Sequence, residues 1–93
     1  MAVPLREVAR ILGMSEEELV EEGVRELLRA RLRRLSAERE ALLAKVGAKS
    51  LEGLDEMLKT GKVREEEVAE IYQRVDWLEE QIEAIGRLLE REG

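Results

Sequence analysis

The sequence predicts an all-α fold: a long antiparallel helical hairpin, coiled-coil-like, with a short N-terminal helix and a short connecting helix. Three observations predict it. Val68, Ile71, Val75, Leu78, Ile82, Ile85 and Leu89 recur in alternating steps of three and four, a sustained a/d seam. An earlier helical run of similar length opens at Ser15 and stops at Gly47. The stretch between the two runs, Gly47 to Lys62, is short enough to fold them back on each other.

The elements follow in order. Pro4 suits a first helical turn, and Leu5, Val8, Ile11 and Leu12 share one face, so a short helix is expected over 5–12. Gly13 ends it. Ser15 and Glu18 have capping-box spacing, and Glu16, Glu17 and Glu18 fill a first turn where the helix dipole favours anions. The helix they open is expected over 16–46, about 45 Å at 1.5 Å per residue. Val24, Leu28, Leu32, Leu35, Leu42 and Val46 form its apolar stripe. Gly23 is a weak point, at about 1 kcal/mol relative to alanine. Ser50 caps a short helix over 51–59, with Leu51, Leu54, Met57 and Leu58 on one side and Gly61 after it. The heptad helix spans 64–91. Folding back places Val46 near its start and Leu28 near Ile82, so the seam is Leu28, Leu32, Leu35 and Leu42 against the heptad residues. The whole chain, 1–93, reads as a single helical domain.

Composition narrows the chemistry. Cysteine and histidine are absent, which removes thiolate ligands, the commonest general base and the commonest transition-metal ligand. The glutamate runs 16–18 and 65–67 sit at helix N-termini, where acidic residues have a dipole role. No catalytic residue, cofactor or metal is expected, and the chain is read as not an enzyme. No apolar run is long enough for a membrane span and no signal peptide is visible, so a cytoplasmic protein is expected. Charged residues make up 41% of the chain and asparagine is missing, a composition that suits a thermophile. The net charge of -6 argues against nucleic acid as a partner.

Each long helix carries more than its seam. Trp77, Gln81, Ala84 and Leu88 share the side of the last helix away from Val68. Ala30, Ala37, Ala41 and Ala44 cluster on the second helix away from its leucines. Two readings stand. The tryptophan packs on the short helices and alanine is merely a good helix former, or these residues form a partner or dimer interface. A basic patch, Arg25, Arg29, Arg33 and Arg34 with Arg31 and Arg39 beside it, is expected to pair with the glutamates of the last helix. Binding of phosphate or of an acidic partner is the sharper alternative. Arg39 falls inside the leucine stripe, and Glu67 or Glu70 is its expected mate.

Residues 8–28, VARILGMSEEELVEEGVRELL, resemble the helical portion of ribbon-helix-helix antitoxins: a helix ending at glycine, a capping serine, then an amphipathic helix. Residues 47–63, GAKSLEGLDEMLKTGKV, with the heptad helix after them, resemble small archaeal proteins regarded as antitoxins. Only Met1, Ala2 and Val3 precede Pro4, so no counterpart of the DNA-reading strand of ribbon-helix-helix repressors, and no operator binding, is expected. The resemblance implies a shared helical scaffold, dimerisation and the blocking of a toxin encoded by an adjacent gene. The expected function is therefore a non-catalytic, antitoxin-like protein-interaction module that self-associates, with a dimer favoured. A homo-oligomeric scaffold of structural role is the alternative. A nucleic-acid-binding regulator using Arg25 to Arg39 comes third.

Overall fold

The computed structural model describes residues 2–61 and 64–92, the last without its side chain; Lys62, at the end of the expected connector, lies outside them. Four helices run in order: α1 (Leu5–Leu12), α2 (Glu16–Lys45), α3 (Leu51–Thr60) and α4 (Glu65–Glu92). No strand occurs among the described residues. The helix ends fall within a residue of those expected, the normal scatter of frayed termini. Val46 is the cap of α2 instead of its last residue.

Local chemistry explains the breaks. Gly13 adopts φ 68°, and the Met14 N–H returns to the Ala9 carbonyl at 3.0 Å, closing α1 as only glycine does without strain. Ser15 then opens α2 with a complete capping box. The Glu18 N–H donates to Ser15 Oγ at 3.0 Å, and the Ser15 N–H donates to Glu18 Oε1 at 3.4 Å. Ser15→Ala removes the hydroxyl and is expected to lower stability by about 1 kcal/mol, read from thermal melts. An unchanged melting temperature would mean that α2 does not depend on this cap. At the other end Gly47 (φ 72°) turns the chain, with the Ala48 N–H on the Leu43 carbonyl at 2.9 Å.

α2 and α4 are antiparallel. Lys45 meets Glu67 at 3.9 Å, and Arg74 meets Glu38 at 2.6 Å, so partners on α4 rise in number as those on α2 fall. α3 packs across α4 at the closed end of the hairpin, and α1 packs on α2. The core sits at that closed end: Leu43, Leu54, Val68, Ile71 and Val75, with Leu42, Val46, Leu51, Met57 and Tyr72 around them. Leu78 is fully buried beyond it.

The seam is therefore unequal along its length. On α4 Val68, Ile71, Val75 and Leu78 are buried, whereas Ile82 and Ile85 are only half-buried. On α2 Leu28, Leu32, Leu35, Leu42 and Val46 are half-buried, Val24 is exposed, and Leu43, outside the expected stripe, is the residue fully enclosed. A third element makes the difference. α3 covers the closed end and seals Leu43 against Leu54; at the open end α1 packs on α2 and buries Ala9, leaving Ile82 and Ile85 half-buried.

The stagger also differs from expectation. Leu28 shares a groove with Leu88, further along α4 than Ile82, and Ile82 lines another with Ser36. A heptad pattern fixes which side of a helix is apolar, not how far it slides along its partner. Arg39 moves with that slide. Its Nε donates to Glu79 at 2.9 Å and its Nη1 to Glu40 at 2.7 Å, not to Glu67 or Glu70.

The molecule measures 60 × 28 × 16 Å, with a radius of gyration of 19.0 Å. A compact domain of this length would have a radius near about 12 Å. The hairpin is one helical layer with little on either face.

Candidate functional site: one face of the hairpin

The site is built outward from Trp77. Arg74, three residues earlier on α4, stacks on its ring, 4.5 Å from guanidinium carbon to centroid. The same guanidinium forms a two-pronged bond to Glu38 of α2, Nε to Oε2 at 2.6 Å and Nη2 to Oε1 at 3.0 Å. The hydrogen bond and charge of Arg74 hold the Glu38 carboxyl below its ordinary value of 4.5, and Glu38 raises Arg74 in return. A carboxylate lowered in the folded state contributes stability above its unfolded value, lost as pH falls through the folded one. Glu38→Gln is thus expected to melt slightly lower than the parent near pH 7, the gap closing as the pH falls below the ordinary carboxylate range. The effect is small because both groups face water. A gap that persists in acid would mean that the Glu38 side chain acts through packing instead.

Glu38 marks which side of α2 adjoins Trp77. At about 100° per residue, Val20, Val24, Leu27 and Arg31 lie within about 40° of Glu38. Val20 is 48% exposed, Val24 52%, Leu27 58%, Trp77 43% and Leu88 46%. These are the exposed large apolar side chains of the two long helices among the described residues, and they share one face. Val20, Val24, Leu28 and Leu88 line a groove on it, with Glu21 and Arg25 at its edge.

The expected interface residues are only partly brought together. Trp77, Gln81, Ala84 and Leu88 follow one side of α4, and Gln81 is half-buried. The alanines do not join them. Ala30, Ala37 and Ala41 turn roughly 60° to 100° from Glu38 around α2; Ala30 is half-buried and the other two are exposed. α3 does not cover the tryptophan. It packs beside Tyr72, which points about 140° away from Trp77 on α4. Val20 and Leu27 were not singled out from sequence. Their signal is the spacing Val20, Val24, Leu27, Arg31, Arg34, which continues the three-four rhythm of a second seam.

Of the arginines expected to pair with α4, Arg39 does so through Glu79, whereas Arg29 bonds Glu26 on its own helix at 2.8 Å. Arg31, Arg33 and Arg34 are exposed and make no ion pair among the described residues. The carboxylates spread along helix surfaces, and no three of the described ones converge as around a metal ion. No described helix is long and apolar enough to cross a membrane.

Among known proteins, residues 1–91 match the profile of a family described as the uncharacterized protein MJ0235 family. No curated protein and no solved structure matches the chain.

Proposed function

This chain belongs to the MJ0235 family, and we propose that it is a non-catalytic protein-interaction module that self-associates through one face of its hairpin and is antitoxin-like in its use. The observation that carries the reading is the grouping of Val20, Val24, Leu27, Trp77 and Leu88 on a single face that the chain itself leaves open. An aromatic anchor stacked by arginine, beside aliphatic side chains, is the composition of an interface centre. The antitoxin-like part draws support from charge. Glu65, Glu66, Glu67 and Glu70 are exposed at the start of α4, in a chain of net charge -6, and complement a basic nucleic-acid-binding cleft on a toxin.

The test is the light-scattering mass of the chain over a dilution series, alone and with the product of the adjacent gene, beside Leu27→Glu. The expected result is a dimer or a mixed complex that Leu27→Glu dissolves. A chain monomeric throughout, with no partner and no response to that substitution, would overturn the reading.

A further inference from the structure

We infer that a second copy of this chain occupies the open face, its α2 antiparallel to the first across a two-fold axis that passes between Arg25 and Glu26. The inference rests on the self-association proposed above and adds the partner, its direction and its register.

Area comes first. The chain exposes 7347 Å², whereas a compact monomer of this length exposes roughly 5500 Å². The excess is more than the roughly 800 Å² that each partner buries in a standard interface. The hairpin is thus shaped like part of a larger bundle.

Gly23 comes second. Glycine is the poorest interior helix residue after proline, yet this one sits within α2 at the edge of the open face, about 60° from Glu38 on the side of Ala41. A Cβ built there would meet nothing within 4 Å, so no contact inside the chain requires the glycine. Close approach of another backbone is what its missing side chain permits.

Charge order comes third. Along this face α2 reads Glu17, Val20, Val24, Leu27, Arg31, Arg34, in steps of three, four, three, four, three. Read backwards the steps are the same. Antiparallel pairing therefore sets Glu17 opposite Arg34 of the second copy and Val24 opposite its Leu27, with the Arg31 stem over Val20. Parallel pairing would set Glu17 on Glu17 and Arg34 on Arg34. In the antiparallel register Leu27 of the second copy faces the groove lined by Val20, Val24, Leu28 and Leu88. Its exposed Leu12, at the end of α1, comes level with Trp77.

The test uses Glu17→Arg and Arg34→Glu in the full chain, with masses read by sedimentation over a dilution series. Two-fold symmetry places each change in the interface twice. Each variant alone is expected to dimerise at least about tenfold more weakly than the parent. An equimolar mixture of the two should recover the parent mass, because every 17–34 contact is then between opposite charges. Gly23→Ala separates interface from folding. It should raise the melting temperature of the dilute monomer while weakening the dimer at least about tenfold. A dimer that neither charge reversal moves, or a mixture that fails to recover, would overturn this register while leaving self-association standing. A monomer that binds only the adjacent gene's product would overturn the second copy as occupant and leave the interaction reading intact. A monomer that binds nothing would overturn both.

Discussion

Leu54→Ala is expected to lower the unfolding free energy by about 3 kcal/mol, because it opens a cavity where the hairpin is held closed. Leu54 has no exposed surface and touches the cluster that joins all three elements at that end: Leu43 of α2 and Val68, Ile71 and Val75 of α4. Its helix α3 has only 10 residues, too few to be stable alone, so packing through this side chain is what keeps it helical. A chain of this size has roughly 5–10 kcal/mol of stability in total. The loss therefore removes a large fraction and should shift the melting temperature by roughly 10–25 °C. Leu54→Met, which conserves volume, should cost less than about 1.5 kcal/mol. Thermal and urea melts at one fixed protein concentration would compare the three proteins. Near-equal melts for parent and alanine variant would show that α3 does not hold the closed end.

The outcome separates what a sequence can carry from what it cannot. The four helices were legible because their signals are local. Gly13 needs a left-handed φ, Ser15 and Glu18 satisfy each other's N–H groups, and the α4 seam repeats over four turns and more. Leu43 was not legible, because its burial depends on α3 lying across the end of the hairpin, a packing choice with no local signature. Arg39 shows the same boundary. Its place within the seam of α2 was readable, but its mate depends on axial stagger, and Glu79 lies about two and a half turns beyond Glu70 and more than three beyond Glu67.

The candidate site was half visible for a related reason. Trp77 stands out in a chain with two aromatic residues, and its side of α4 follows from counting. The matching side of α2 could be chosen only once Glu38 was seen to bond Arg74. That bond centres the face on Val20, Val24 and Leu27 and leaves the alanine stripe at or beyond its edge. Alanine clustering is weak information on a helix, since alanine is favoured wherever nothing else is required.

Leu27→Glu is expected to weaken self-association by at least about a thousandfold while leaving the fold of each chain intact. The two halves of that statement have separate grounds. Leu27 is 58% exposed in the single chain and touches none of the core cluster, and glutamate forms helix almost as well as leucine. The dilute monomer should therefore keep its circular dichroism and its melting temperature. In the dimer the same position faces an apolar groove, where an unpaired carboxylate must shed its water. Two-fold symmetry makes this happen twice, at about 2 kcal/mol or more each time, which together give the thousandfold figure. Trp77 emission offers a second readout. Its ring is open to solvent on the single chain, so the parent's spectrum should shift on dilution and the variant's should already match the dilute limit. If Leu27→Glu dissolves a complex with the adjacent gene's product but leaves the homodimer whole, the open face belongs to that product and the second copy binds elsewhere. If it changes neither mass nor emission, Leu27 is an ordinary exposed leucine, and the interaction surface lies away from the Trp77 face.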